Sequence, residues 1–242
     1  MRICLFTLLI VSMLNNPSFA NAASLDPSAP AEEYALFTRL QPYITEAITN
    51  YYGQPLQYMP DRIISHRGSI ITVQITTFQQ AHNPPYGTDT LTFRDSNSFN
   101  NRTPLVIRYL HKGDEWSAII ERFKAATLHD IQASFQLQLN GYQKYEYGQL
   151  LHAAEHEKEL LPLVELNRQA IQELLHPVKP GFKNTINPVT FLQASTGYIV
   201  LKQQDGMNVV HNLTLTKSGW KQVSVHRRQG LRMQSELLWY MH

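Results

Sequence analysis

The chain has 242 residues, with 21 lysines and arginines against 19 aspartates and glutamates, and one cysteine. A composition of 43% hydrophobic and 17% charged residues excludes a disordered polymer, and 11 glycines with 13 prolines exclude a collagen-like or linker-dominated chain. A net charge of +2 provides no global attraction to nucleic acid, so no nucleic-acid partner is expected.

Arg2 is the only charge before Asp26, and residues 3–14 are apolar apart from Thr7 and Ser12. Asn15, Asn16 and Pro17 end that run, and Ala20-Asn21-Ala22 supplies small residues for signal peptidase. This order predicts a signal peptide over residues 1–22, cleavage near Ala22, and a secreted or cell-surface protein. The apolar run is too short for a comfortable span, so no transmembrane segment is expected in the mature chain. Cys4 lies inside the signal without a lipobox, so the mature chain has no disulfide and no thiol chemistry. Asn101-Arg102-Thr103 and Asn212-Leu213-Thr214 fit the glycosylation pattern. In an exported chain without disulfides, which fits a Gram-positive bacterium, both are read as chance.

Residues 23–31 read as a flexible linker. Residues 32–52 read as a helix, because Leu36, Leu40, Ile44, Ile48 and Tyr51 recur at spacings of four and three. Pro42 either kinks this helix or starts a second one, and Gly53 ends it. Strands follow at 56–66, 71–76, 89–94 and 104–111, with a turn at Arg67-Gly68 and loops at 83–87 and 95–102. Residues 116–175 read as largely helical, interrupted near Asn140-Gly141 and Pro162. Residues 176–187 read as a loop. The strand 198–201 leads to an Asp205-Gly206 hairpin, and strands 209–216 and 220–226 complete a meander. Leu213, Leu215, Val223 and Val225 sit at period two and are expected to face one core. Residues 231–242 fit helix and strand equally.

The expected architecture is α+β in two domains. Residues 32–113 form a helix plus a four-stranded antiparallel sheet, and residues 114–242 a helical segment followed by an antiparallel meander. Such layers look like cystatin-like and nuclear-transport-factor-like folds, which host binding modules, inhibitors and enzymes alike.

Several short motifs in the first half carry a resemblance: Leu40-Gln41-Pro42-Tyr43-Ile44, Tyr51-Tyr52-Gly53, Ala81-His82-Asn83-Pro84-Pro85, and Gly87-Thr88-Asp89-Thr90-Leu91-Thr92-Phe93. Over residues 36–111 the chain resembles domain-of-unknown-function family 3888, found in exported proteins of spore-forming Gram-positive bacteria. The resemblance implies a compartment and an order of elements. It implies no reaction, cofactor or catalytic residue, and it does not reach beyond Trp116.

Within that stretch, His82, Asn83, Tyr86 and Asp89 surround a Pro-Pro loop, where an imidazole and a carboxylate could sit at a binding mouth. The same residues also read as a shaped turn, with Pro fixing φ, Gly allowing positive φ and Asx residues capping. Tyr52, in the aromatic run with Tyr51, is a candidate interface residue that could equally border the core. Lys221, His226, Arg227 and Arg228 form a basic cluster that could meet anionic polymers or simply guard an edge strand.

His152-Ala153-Ala154-Glu155-His156 spells the H-x-x-E-H of inverted zinc peptidases. There, His152 and His156 would hold zinc, Glu155 would act as base, and Glu236 would be the distant ligand. Ten histidines in 242 residues produce about 0.4 such His pairs by chance. The wheel places Leu150, Leu151, Ala154 and Leu161 on the core face and turns the histidines away. A surface metal site from His152, His156 and Glu159 fits that exposure better than a peptidase. No phosphate-binding glycine loop and no nucleophile elbow is present. The expected role is a non-catalytic binding module for a protein or cell-envelope partner, without a cofactor. The alternatives are a zinc-dependent hydrolase and an inhibitory or structural module.

Overall fold

A computed structural model describes residues 31–78, 85–95, 103–175 and 186–232. The chain divides into two compact units: one takes the residues up to Ala47 and Leu56–Lys112, the other Ile48–Pro55 and the chain from Gly113 onward. The signal segment, the linker up to residue 30, and residues 233–242 lie outside the described residues.

The first unit begins with α1 (Ala31–Tyr52), a single helix that runs through Pro42 rather than restarting there. Its buried stripe is Phe37, Leu40, Ile44, Ala47 and Ile48, so the expected periodicity holds as far as Ile48. Tyr51 departs from it and is exposed. Four antiparallel strands follow in sequential order: β1 (Gln57–Arg67), β2 (Ile70–Phe78), β3 (Tyr86–Arg94) and β4 (Leu105–Gly113). Cross-strand pairing sets Ile71 beside Phe93, Val73 beside Leu91, Ile75 beside Asp89 and Thr77 beside Gly87. All eight are buried and share one face, as the two-residue period of a strand requires. Helix α1 is tied to this sheet by Glu33, whose carboxylate accepts from the Ile63 amide at 2.7 Å. Arg39 adds an ion pair, its Nη2 lying 2.6 Å from the buried carboxylate of Asp95.

The second unit is built on a five-stranded antiparallel meander, β5 (Gln143–Glu146), β6 (Ile186–Gln193), β7 (Thr196–Lys202), β8 (Met207–Thr216) and β9 (Gly219–Gln229). Helix α2 (Glu115–Phe135) starts at Asp114, whose side chain accepts from the Ser117 amide at 2.8 Å. Helix α3 (Tyr147–His156), a 3-10 turn (Lys158–Leu160) and helix α4 (Leu161–Leu175) follow β5. The two groups of helices take opposite faces of the sheet. Leu150 and Ala154 of α3 and Leu163, Ala170 and Leu174 of α4 pack with Ile199, Leu201, Val209, Leu213 and Trp220. Ile131, Phe123 and Leu128 of α2 pack with Val189, Phe191, Val200 and Val210. Alternation along β7 therefore feeds two cores, with Ile199 and Leu201 on one side and Val200 on the other.

The α+β class is as expected from the sequence, with four α-helices and two antiparallel sheets among the described residues. Several local expectations are corrected. The stretch read as largely helical, interrupted near Asn140-Gly141, contains β5 just after that break, a four-residue strand too short to show a period. Strand β6 begins at Ile186, so Asn187 is strand rather than loop, and Pro188 falls inside it, where the register shifts between Ile186 and Val189. Leu151 and Leu161 are exposed. For Leu161 the reason is that α3 stops at His156 and the 3-10 turn resets the wheel, so that Leu160 and Leu163 take the core positions; Leu151 lies within α3 itself, outside its buried pair Leu150 and Ala154. Val223 is 61% exposed because the β8–β9 register passes from Asn212↔Ser224 to Leu213↔Gln222 and leaves it as a bulge residue. Leu215 is also exposed; it pairs with Trp220, whose ring fills the core at that end of the hairpin. Among the described residues, no helix is long and apolar enough to cross a membrane.

Candidate functional site

In the first unit, the chemistry concentrates on β3 and its neighbours. Asp89 is fully buried. One carboxylate oxygen accepts from Thr77 Oγ1 at 2.7 Å, and the other lies 2.7 Å from His111 Nδ1 on β4. The Gly87 carbonyl lies 3.3 Å from the same hydroxyl, a longer alternative acceptor for its single proton. A buried carboxylate needs such partners, because desolvation without hydrogen bonds costs several kcal/mol on the order of the charged-group penalty. The arrangement fixes the orientation of the His111 ring through its Nδ1 side, as a carboxylate does wherever an imidazole must be aimed.

The residues picked out by sequence are distributed differently from a single loop mouth. Asp89 lies within strand β3, buried, rather than at the rim of a loop. Tyr86 opens the same strand, half-buried, with its ring edge-on to Phe78 at 6.4 Å between centroids. Asp89 is three positions after Tyr86, an odd offset, so the two side chains leave opposite faces of the sheet. Tyr52 is half-buried, stacks edge-on with Tyr51 at 4.9 Å, and belongs to the second unit, where its carbonyl accepts from Gln149 Nε2 at 3.0 Å. His82 and Asn83 lie outside the described residues. His111 and Thr77 were not identified from sequence. The available signal was the alternation Gly87, Asp89, Leu91, Phe93, which puts a carboxylate on a core face and demands polar partners there.

In the second unit, a buried charge network joins α2 to the sheet. Lys202 is 2% exposed and its ammonium meets Asp130 Oδ2 at 2.5 Å and Asn208 Oδ1 at 2.8 Å. Asn208 donates to Asp130 Oδ2 and to Ser134 Oγ, each at 2.8 Å, and the Leu231 amide donates to the same carboxylate. Desolvation pushes the Asp130 carboxyl up, but hydrogen bonds from Lys202, Asn208 and the Leu231 amide, with the Lys202 charge, hold it below the ordinary aspartate value. Every member of the network has partners, which marks it as a structural tie between layers.

Helix α3 carries the second candidate cluster. His152 is half-buried, and Glu155 and His156 are exposed. One ligand atom from each lies within 4.8 Å of the others. These three can hold a metal ion; Glu236 lies outside the described residues.

Residues 32–112 match the model of a family described as Protein of unknown function (DUF3888), a partial-chain segment that spans α1 and all four strands of the first sheet. No curated protein and no solved structure matches the chain.

Proposed function

We propose that the protein is exported and acts as a non-catalytic binding module. Its first unit takes an extended segment of a cell-envelope or secreted protein alongside β4. Export rests on Arg2, the apolar run over residues 3–14 and Ala20-Asn21-Ala22.

The observation that carries the binding reading is the contrast between sheet edges. Unpaired edge strands invite pairing with another chain unless charge, Pro, bulges or brevity protect them. Strand β1 has Pro60, the charges Asp61, Arg62 and Arg67, and two register shifts. Strand β5 has four residues. Strand β9 has Lys221, Arg227, Arg228 and the Val223 bulge. Strand β4 also carries the charges Arg108 and Lys112, but it contains no proline, and over nine residues it exposes Leu105 (60%), Ile107 (42%) and Leu110 (46%). The His111–Asp89 bond sets His111 on the helix side of the sheet, so Leu105 and Ile107, at even offsets, share that side. An added strand would hydrogen-bond to the β4 backbone and cover these side chains, with acidic residues opposite Arg108 and Lys112.

Partner capture on the full chain tests this reading, with hydrogen exchange of the complex as readout. The expected result is protection of the β4 amides on binding, and at least tenfold weaker capture by Ile107→Lys, about the 1.4 kcal/mol that corresponds to a tenfold change. Capture that leaves β4 exchange unchanged and tolerates Ile107→Lys would overturn it.

A further inference from the structure

We propose that His152, Glu155 and His156 form a site for one divalent transition-metal ion on the last turn of α3. The positions are i, i+3 and i+4, which a helix stacks on one face. The imidazole rings stand 5.6 Å apart between centroids and at 88° to one another, so both can point a ring nitrogen at a common centre. His152 Nδ1 lies 3.4 Å from Glu155 Oε2. It is buried and has no aligned hydrogen bond among the described residues. A buried ring nitrogen left in that position is an unmet need that a metal ion would satisfy.

Electrostatics favour a cation at this place. The negative end of the helix dipole falls at His156, and Glu157 and Glu159 follow immediately. The Lys158 ammonium is occupied by the Glu155 backbone carbonyl at 2.7 Å. A tetrahedral ion with ligands at 2.0–2.1 Å needs donors about 3.4 Å apart. The exposed side chains of Glu155 and His156 can close the present spacing, of up to 4.8 Å, by rotation.

The donor set defines the ligand and the chemistry. Two imidazoles and one carboxylate select the later first-row divalent ions, in the order Co²⁺, Ni²⁺, then Cu²⁺ above Zn²⁺. Glu155 is within the donor set, so it acts as a ligand and not as a base held off the metal. Three protein ligands leave a fourth position for water or for a side chain of another molecule.

The test uses the full chain purified without an affinity tag. Calorimetric titration with Zn²⁺ should give one ion per chain. Loss of an outer-shell partner alone costs roughly 10–100-fold in metal affinity. His152→Gln, His156→Gln and Glu155→Gln should therefore each weaken binding at least tenfold, while Glu159→Gln should not. Paramagnetic Co²⁺ should shift the ring resonances of His152 and His156 in the unmodified protein and leave those of His129 and His226 in place, a readout independent of any variant's folding. Failure to bind Zn²⁺ at millimolar concentration, or binding retained in the His152→Gln/His156→Gln double variant, would overturn the proposal. So would Co²⁺ shifts centred on His129 or His226.

Discussion

Lys202 and Asp130 show what a single pair does inside the second unit. The ammonium is buried, and removing its carboxylate would leave a charge in low dielectric, at a cost of about 3 kcal/mol or more. Asp130→Asn is therefore expected to lower the urea midpoint of the second unit at pH 7. The pH dependence has a definite sign. The folded carboxyl titrates below its unfolded value, so its contribution is complete above about pH 4 and disappears as pH falls through the folded value. Urea midpoints from pH 7 to pH 3 should fall more steeply for the wild type than for Asp130→Asn, and parallel profiles would refute the assignment. Asp89 presents the same problem with another solution, a hydroxyl and an imidazole in place of an ammonium. At this scale, sequence picked out Asp89 from its neighbours in the chain. Its partners Thr77 and His111 stand 12 and 22 residues away and meet it only through strand pairing.

Among the elements, periodicity was a sound guide along most of α1 and along β2. The stripe Leu40, Ile44 and Ile48 of α1 is buried, and Ile71, Val73 and Ile75 of β2 share one covered face. It misled where the backbone broke its own period. Val223 reads as a core residue by alternation, yet the bulge opposite Asn212 and Leu213 turns it to solvent. Deleting Val223 removes the extra residue and leaves Asn212↔Ser224 and Leu213↔Gln222 as successive pairs with both arms on their present faces, so it should lower thermal stability by less than about 2 kcal/mol, and Val223→Thr should stay within about 0.5 kcal/mol. Thermal melting of the two variants checks this, and a loss of more than about 2 kcal/mol on deletion would mean that the bulge residue itself is needed for the pairing of β9. The α3–α4 break has the same character. Glu157 and the 3-10 turn after it separate Leu161 from the wheel of Leu150 and Ala154.

For the whole molecule, the proposed export and the absence of cysteine after Cys4 together imply that no disulfide contributes to the mature fold. N-terminal sequencing of the exported protein is expected to begin at Ala23, and the thermal midpoint should not move on adding a reductant. A start at Met1 would refute cleavage, and a midpoint lowered by reductant would show that a thiol survives.

Sequence by itself determined the class of this protein, an α+β chain with a helix and four strands in its family-like first half and helices before a meander in its second. Those features depend on residue order along one element, which composition and period record directly. Only tertiary structure decided that, among the described residues, β4 is a sheet edge exposing Leu105, Ile107 and Leu110, that Asp89 is a buried acceptor rather than part of a loop mouth, and that the helices of the second unit divide between two faces of one sheet. Each depends on which strand lies beside which and where a bulge shifts the register, and such pairings join residues far apart in the chain.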